Sequence, residues 1–302
     1  MRKLLLFLSG QKQLRRWMET FPLARRLSTR FVAGETLEEA LAVCRALNAE
    51  GITVTLDHLG ESVTSLEEAA EARDVYLRVL AAIEESKIQG NVSLKLTQFG
   101  LDLSAECCLA NVGQLVALAS GHHNFVRVDM ESSAYTDRTL DLVRDLHARY
   151  GAVGVVIQAY LYRSAKDIED LCGRSIRVRL CKGAYLEPHN VAFPKKEEVD
   201  RNFIELMKIL LDGGIYPAIA THDEKMIEAT KAHVQARKLS RDVFEFQMLY
   251  GIRRDLQRQL VAEGYRLRLY VPFGKAWYPY YMRRLAERPA NILFILRNLF
   301  RH

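Results

Sequence analysis

The sequence predicts an α/β protein built as a closed, distorted (β/α)8 barrel. From residue 51 onward, short runs rich in β-branched and aromatic residues alternate with amphipathic stretches of helical length. Glycines stand just before several of the short runs, where a turn would lead into a strand. Eight strand-then-helix units in about 250 residues are what such a barrel requires. An open, doubly wound sheet is the alternative architecture.

The predicted elements follow in order along the chain. A helix over 36–49 comes first, within an N-terminal helical arm that spans 1–50. The predicted strands are 52–58, 91–97, 125–131, 154–161, 176–182, 215–222, 243–249 and 265–272. The predicted helices are 65–85, 105–120, 136–150, 200–212, 224–238 and 252–263, followed by a last helix that contains "YYMRRLAE". No polar linker interrupts the chain, so we expect one domain over 1–302, with the barrel at 51–298.

Composition favours a globular protein of a reducing compartment. The 302 residues are 49% hydrophobic and 26% charged, and no apolar run approaches the roughly 20 residues that span a bilayer. The five cysteines lack any C-x-x-C spacing, which argues against a disulfide framework or a zinc ribbon. The net charge of +6 permits attraction to anionic lipid or nucleic acid. Basic residues cluster within 1–30, either as a membrane-contacting arm or as a solvated surface.

Polar residues gather at the predicted carboxyl ends of the strands, where barrel enzymes carry their chemistry. They are Asp57, His58, Lys95, Thr97, Gln98, Asp129, Glu131, Gln158, Arg179, Lys182, Thr221, His222, Asp223, Gln247 and Tyr270. Structural interpretations stay open for single residues: Lys95 and Asp129 as an ion pair, or His222 as a helix cap. The coincidence of so many polar groups on one rim favours a functional site.

Familiar cofactor and nucleophile motifs are absent from the sequence. No G-x-G-x-x-G, phosphate-binding loop, H-x-H, H-E-x-x-H or G-x-S-x-G occurs, so we expect no metal and no nucleophile elbow. A rim of cations and amides suits an anionic substrate with an anionic or electron-accepting cofactor. Lys95 and Lys182 leave open a Schiff-base lyase of the aldolase type. A basic binding module without catalysis is a third possibility.

The segment "YYMRRLAE" places two guanidinium groups on one face of the last helix. Tyr280, Arg283, Arg284 and Glu287 are spaced i, i+3, i+4 and i+7, which is the spacing of a single helical face. Two adjacent cations repel each other unless an anion lies beneath them, and arginines bind carboxylates through paired hydrogen bonds. A separate apolar row can dock this helix and consists of Tyr278, Met282 and Leu285.

Eight separated motifs resemble those of proline dehydrogenase, the FAD-dependent family of proline catabolism. In order they are "VSLKLTQFG", "VDME", "IQAYL", "VRLCKGAY", "AIATHD", "FEFQMLYGI", "LYVPFG" and "YPYYMRRLAE". The match runs from about residue 50 to 298 and resembles the short, monofunctional bacterial form. The resemblance implies a barrel whose last helix lies over the active site. One departure is Leu186, where fused relatives tend to have tryptophan.

The resemblance also implies a reaction and its partners. L-Proline would be oxidised to Δ1-pyrroline-5-carboxylate by hydride transfer to the flavin N5 of FAD, with membrane quinone as electron acceptor. The protein would then be cytoplasmic and peripheral on the inner face of the cell membrane, in contact with anionic lipid and not with nucleic acid. Arg283 and Arg284 would bind the proline carboxylate, and Asp129 would hold Lys95 in place.

Two sets of residues follow from the resemblance. The implied catalytic set is Lys95, Asp129, Tyr185, Leu249, Tyr270, Tyr280, Arg283, Arg284 and Glu287. The implied FAD-binding set is Met130, Gln158, Arg179, Lys182, Gly183, Ala184, Thr221 and His222. Within the second set, Arg179 would lie near the flavin N5 and Gln158 near the pyrimidine edge.

Overall fold

Eight parallel strands close into a barrel in the described part of the chain. The structure is a computed structural model that describes residues 30–60 and 62–287, with side chains described as far as Met282. Each strand pairs with the next one along the chain, and the last pairs with the first from Thr53↔Arg268 to His58↔Phe273. The predicted barrel is confirmed, because an open sheet would leave the first and last strands unpaired.

The strands and helices alternate throughout. The strands are β1 (Thr53–His58), β2 (Gly90–Leu94), β3 (Val126–Val128), β4 (Val153–Gln158), β5 (Arg177–Cys181), β6 (Ala218–Ala220), β7 (Glu245–Leu249) and β8 (Leu267–Phe273). The helices are α1 (Leu37–Ala49), α2 (Leu66–Glu85), α3 (Ala105–Gly121), α4 (Thr136–Tyr150), α5 (Ser164–Gly173), α6 (Lys196–Gly213), α7 (Glu224–Ala236), α8 (Arg254–Ala262) and α9 (Trp277–Glu287). Short 3₁₀ turns lie at Leu96–Phe99 and Ser133–Tyr135.

The structure differs from the predicted elements in three places. β3 and β6 are three residues each, shorter than predicted. Their backbone pairing with the neighbouring strands ends there, and the chain then leaves the barrel. Helix α6 starts at Lys196, four residues before the predicted start at 200. Helix α5 was not predicted at all; its ten residues bury only a narrow face. Residues 1–29, most of the predicted arm, lie outside the described residues.

Side chains on the strands divide into an apolar outer set and a polar inner set. Val54, Leu56, Val126 and Val128 are fully buried members of the main hydrophobic core, together with apolar residues of the surrounding helices. The residues between them in sequence face the barrel interior, because successive strand residues point to opposite faces. This core holds the helices around the strands and leaves the interior for other groups.

The barrel interior is filled by polar groups that bond to each other across it. Arg268 Nε donates to Glu245 Oε1 at 2.8 Å, and Arg268 Nη1 donates to Asn91 Oδ1 at 3.1 Å. Barrel interiors are usually packed with branched apolar residues, so this column of polar residues is a departure from the common pattern. Buried charges persist when they are paired and hydrogen-bonded. The buried polar set is Thr55, Asn91, Ser93, Arg127, Arg179, Glu245 and Gln247.

Helix α9 follows β8 and packs at the carboxyl ends of the strands. Tyr278 and Met282, two members of the predicted docking row, are buried in an apolar cluster with Leu59, which directly follows β1. Tyr280 is buried in the same cluster. The side chain of Leu285, the third predicted member, lies outside the described residues. No helix in the described ranges is both long and apolar enough to cross a membrane.

Candidate active site

The predicted site residues meet at one end of the barrel because all the strands run parallel. Asp129 directly follows β3, Lys182 directly follows β5, and Gln158 is the last residue of β4. Arg179 and Tyr270 lie inside β5 and β8, one layer deeper. The carboxyl ends of barrel strands are where catalytic groups collect in this architecture.

Asp129 is the centre of a buried hydrogen-bonded cluster. Its Oδ1 accepts from Ser93 Oγ at 2.6 Å and from Arg179 Nη1 at 2.8 Å. Its Oδ2 accepts from the Tyr270 hydroxyl at 2.7 Å. The side chain of Asp129 is 14% exposed. Three donors, one of them a guanidinium group, therefore hold this carboxylate in a largely dry place.

Arg179 crosses the barrel interior to reach this cluster. Its Nε donates to Oε1 of Gln247, a residue of β7, at 2.5 Å. Its guanidinium carbon lies 5.3 Å from the centre of the Tyr270 ring. Its third nitrogen, Nη2, is buried and has no hydrogen-bond partner among the described residues. A buried donor without a partner is unfavourable, so this nitrogen suits a ligand that accepts a hydrogen bond.

Tyr270 stays protonated in this environment. Burial and the negative charge of Asp129 raise its pKa well above the ordinary value. The phenol is therefore a hydrogen-bond donor to Asp129 and not a proton acceptor at neutral pH.

Lys95 is paired differently from the prediction. Its Nζ lies 3.8 Å from Asp57 Oδ2 at the end of β1, and the partners of Asp129 are those named above. The predicted pairing of Lys95 with Asp129 is therefore wrong. Lys95 stands where the chain leaves β2 for the 3₁₀ turn Leu96–Phe99, and the Arg179 guanidinium occupies the position beside Asp129.

Asp57 was named as a polar strand end but not as a member of the site. It is 1% exposed, and its Oδ1 accepts from the buried Tyr76 hydroxyl at 3.1 Å. Its Oδ2 has the ion pair with Lys95 and no hydrogen bond among the described residues. A carboxylate this deeply buried at a strand end is the signal that could have placed it in the site.

Gln158 supplies a second unpartnered polar atom at this end. Its Nε2 donates weakly to the Met130 carbonyl at 3.4 Å, and its backbone carbonyl accepts from Ser164 Oγ at 2.6 Å. Its Oε1 is buried without a hydrogen-bond partner in the described ranges. Within the described part of the chain, an amide oxygen at the end of β4 and a guanidinium nitrogen from β5 thus both lack hydrogen-bond partners.

Thr221 and His222 are held by the backbone around them. Thr221 Oγ1 accepts from the Asp223 amide at 3.1 Å, which helps to start helix α7. His222 Nε2 accepts from the Leu249 amide at 2.9 Å. Since this nitrogen accepts, a neutral His222 carries its proton on Nδ1. The histidine thereby connects the end of β7 to the segment that follows β6.

Lys182 is already engaged by two carboxylates. Its Nζ donates to Asp200 Oδ1 at 2.5 Å and to Asp223 Oδ2 at 2.7 Å. Burial alone would raise the pKa of Asp200 and Asp223, but the lysine contacts outweigh it and lower both. Asp223 was named as a polar strand end but not as a binding residue. Asp200 was not named, because it lies inside helix α6 and meets Lys182 only in the fold.

Gly183 has a backbone and a neighbour that exclude a side chain. Its φ is +108°, and an added Cβ would lie 2.4 Å from the Tyr160 ring. The prediction was that this glycine lets the backbone approach a ligand; in the described chain the close neighbour is Tyr160. The next residues, Ala184 and Tyr185, are exposed.

The segment after Tyr185 folds back over the barrel mouth. Glu187 Oε1 accepts from the Ser133 amide at 2.7 Å and from the Tyr160 hydroxyl at 3.4 Å. Tyr160 also packs with Leu161 and Ala192 in a small apolar cluster. Sequence reasoning did not assign Glu187, since nothing in the sequence connects it to Ser133.

The arginine pair of the last helix is described only by its backbone. Arg283, Arg284 and Glu287 belong to α9, and their side chains lie outside the described residues. Tyr280 of the same helix is 5% exposed. The described residues contain no group of three His, Cys, Asp or Glu side chains that could hold a metal ion.

This fold and this rim define a barrel enzyme with a polar, partly buried site at the carboxyl ends of its strands. A sequence model of the family described as proline dehydrogenase matches residues 40–297. Proline dehydrogenase 1 of Bacillus subtilis subsp. natto is 41% identical over 301 residues, covering 100% of this chain and 99% of its own length. Proline dehydrogenase of Deinococcus radiodurans is 42% identical over 280 residues, covering 91% and 90%.

A solved structure gives the same result for the fold. Proline utilization A (PutA) from Bdellovibrio bacteriovorus, inactivated by N-propargylglycine, superposes with a TM-score of 0.82 at 26% identity. The superposition covers 89% of this chain and 33% of the PutA chain, so this protein spans about a third of that relative. The chain belongs to the proline dehydrogenase family. It is an enzyme that oxidises proline in proline catabolism.

Proposed function

We propose that the protein is an FAD-dependent enzyme that converts L-proline to Δ1-pyrroline-5-carboxylate. The bound flavin would supply N5 as the hydride acceptor. The ring carbon next to the proline nitrogen that does not carry the carboxylate would lose the hydride, the nitrogen would lose a proton, and membrane quinone would then take the two electrons. The observation that carries the proposal is the buried cluster of Asp129, Arg179 and Tyr270, with Arg179 Nη2 left without a partner among the described residues.

The residues present fit a flavin at this end of the barrel. Flavin edges carry both hydrogen-bond acceptors and donors, and Arg179 Nη2 and Gln158 Oε1 are a buried donor and a buried acceptor without partners in the described chain. A cation near N5 and an amide near the pyrimidine edge tune the electronics of such a cofactor. We therefore assign Arg179 and Gln158, with Met130 beside Gln158, to hold the ring system.

The distal part of the cofactor is assigned to residues after β5 and β6. Lys182, Gly183, Ala184, Thr221 and His222 are the proposed contacts. Lys182 shares its charge with Asp200 and Asp223, so it brings no net positive charge to a phosphate there. Its part in cofactor binding stays a prediction.

The substrate site is proposed at the junction of α9 and the barrel mouth. Arg283 and Arg284 would bind the proline carboxylate, with Glu287 and Lys95 in the same ion-pair network. The Tyr270 ring lies 5.3 Å from the Arg179 guanidinium carbon, and we assign it to one wall. The remaining walls are assigned to Tyr185, Leu249 and Tyr280.

A Schiff-base lyase is less well supported by the lysines. Imine formation requires a neutral amine, which burial away from carboxylates would favour. Lys182 instead donates to two carboxylates, and Lys95 has Asp57 at 3.8 Å. Both lysines are thus paired with carboxylates, and neither has the carboxylate-free surroundings that an imine-forming lysine requires.

Anaerobic titration with L-proline tests the proposed reaction. We expect the purified protein to be yellow, with flavin absorbance that bleaches on addition of L-proline and not of L-alanine, which lacks the ring. A yellow protein that L-proline does not bleach contradicts the proposed substrate. A colourless protein that borohydride links to an aldehyde supports the lyase instead.

The electron acceptor and the membrane contact are a further part of the proposal. The basic clusters within 1–30 give the N-terminal arm a positive charge that attracts anionic head groups. We place the protein in the cytoplasm, peripheral on the inner face of the cell membrane, where a membrane quinone is within reach.

A further inference from the structure

A chain of hydrogen bonds leads from the Asp129 cluster to a buried carboxylate deeper in the barrel. Arg179 Nε donates to Gln247 Oε1 at 2.5 Å, and Gln247 Nε2 donates to Glu245 Oε1 at 2.5 Å. Glu245 also accepts from Arg268 Nε at 2.8 Å and from the Tyr216 hydroxyl at 3.3 Å. β5 pairs only with β4 and β6, so the contact between Arg179 and Gln247 crosses the interior.

The glutamate determines which way the Gln247 amide faces. A carboxylate can only accept hydrogen bonds, so the amide nitrogen must face Glu245 and the amide oxygen must face Arg179. Glu245 is 1% exposed and Gln247 is 5% exposed, so water does not compete for these groups. Burial opposes ionisation of Glu245, but Arg268 outweighs it and lowers the pKa, which keeps the carboxylate charged.

The amide oxygen in turn determines how the Arg179 guanidinium lies. Gln247 Oε1 accepts from the Nε of Arg179. Asp129 Oδ1 and Ser93 Oγ accept from its Nη1, at 2.8 and 3.3 Å. Two edges of the planar group are thereby used, and Nη2 is the nitrogen that has no hydrogen-bond partner among the residues that the structure describes. If the amide were reversed, its NH2 group would face the Nε–H of Arg179, and two donors would oppose each other.

We infer that Glu245 and Gln247 are positioning residues that orient Arg179 so that its Nη2 nitrogen faces the ligand at the barrel mouth. This inference rests on the proposed function, because it assigns Arg179 to the flavin. Neither residue touches the substrate or the cofactor in this assignment. Their effect passes through the orientation of one guanidinium group.

Gln247→Met separates this role from a purely structural one. Methionine has nearly the shape of glutamine and removes both hydrogen bonds, while Glu245 keeps Arg268 and Arg179 keeps Asp129. We expect the rate constant of flavin reduction by L-proline, per bound flavin, to fall about 10- to 100-fold, as misplacement of a positioned group does. The midpoint potential of the bound flavin should also become more negative, because the cation near N5 is less well placed.

Glu245→Gln is a second variant that leaves Gln247 in place. Either amide orientation then becomes possible, so a smaller fall, of roughly 3- to 10-fold, is expected in the same rate constant. Thr55→Val is the control, since it removes a buried hydrogen bond to Asn91 of 2.6 Å that does not touch Gln247 or Arg179. It should lower thermal stability without changing the reduction rate or the potential.

The outcomes are distinguishable from failure of the proposed function. If the wild-type flavin is not reduced by L-proline, the proposed function fails. If the wild type is reduced, and Gln247→Met lowers thermal stability but leaves the rate constant and the potential per bound flavin unchanged, the positioning role is overturned. A low flavin content in Gln247→Met does not affect the comparison, because both quantities are measured on the flavin that is bound.

Discussion

Removal of the Tyr270 hydroxyl measures how strongly the Asp129 cluster is held together. Tyr270→Phe deletes the 2.7 Å bond to Asp129 Oδ2 and leaves the ring in place. Hydrogen bonds to charged groups contribute about 1.5–3 kcal/mol net. Asp129 keeps Ser93 and Arg179 as donors. We therefore expect the lower end, a loss of about 1.5–2 kcal/mol in the free energy of unfolding.

Thermal unfolding at neutral pH is the assay. For a large domain 1 kcal/mol corresponds to about 2 °C, so the midpoint should fall by roughly 3–4 °C. Tyr162→Phe is the matched control, because the Tyr162 hydroxyl donates to the His189 carbonyl at 2.9 Å and the residue is 46% exposed. Its midpoint should change by less than about 1 °C. Equal shifts in the two variants, or no shift in Tyr270→Phe, would refute the reasoning.

The difference in stability between the wild type and Tyr270→Phe should depend on pH. The raised pKa of Tyr270 means that the folded protein keeps the phenol proton at a pH where the unfolded chain has lost it, above about 10. The stabilisation by Tyr270 is therefore complete below about pH 10 and declines as pH rises toward the folded pKa. The difference between wild type and Tyr270→Phe should be constant from about pH 6 to 9 and should narrow only above about pH 10. Narrowing at lower pH would mean that the phenol is not the donor.

Three further predictions concern the glycine, the arginine pair and the arm. Gly183→Ala should destabilise the protein by at least about 1–2 kcal/mol, seen as a lower unfolding midpoint, because of its positive φ and the 2.4 Å approach to Tyr160. Arg284→Met should raise the KM for proline by about 10-fold or more with normal flavin content, because one carboxylate contact is lost. Deletion of residues 1–29, which keeps Arg30 over the Phe31 ring, should spare dye-linked activity and weaken binding to anionic vesicles.

Each of these predictions has a control or an outcome that would contradict it. Gly173 is the last residue of α5 with nothing within 4 Å of an added Cβ, so Gly173→Ala should not lower the midpoint. An unchanged KM for proline in Arg284→Met would contradict the assignment of Arg284 to the proline carboxylate. Equal vesicle binding by the full chain and the truncated chain would remove the membrane role of the arm, and salt should weaken the binding if charge drives it.

Much of the barrel was predictable because local sequence controls it. All eight strands overlap their predicted ranges by three or more residues. Strand β1 is typical, with the apolar Val54 and Leu56 alternating with the polar Thr55 and Asp57. The exception among the helices is α5, whose ten residues give a short apolar pattern. Length alone does not explain this, because α8 has nine residues and lies within its predicted range.

The candidate site was predicted in its location but not in its pairings. Asp129, Arg179, Gln158 and Lys182 were all expected at one end of the barrel, and they lie there. The expected partner of Asp129 was Lys95, from a neighbouring strand, whereas the observed one is Arg179, 50 residues away in sequence. Of the two carboxylates that pair with Lys182, Asp223 was named at a strand end, whereas Asp200 lies in helix α6, where strand patterns give no information.

By itself the sequence determined which residues are strands, which faces are apolar, and that polar groups line one rim. These properties depend on the two-residue period of a strand and on local helix and turn preferences. Only the tertiary structure decided that Arg179 donates a hydrogen bond to Gln247, 68 residues away, and that the same Gln247 amide donates to Glu245. The physical reason is that closing the barrel staggers its strands, and this stagger sets the depth at which side chains from different strands meet.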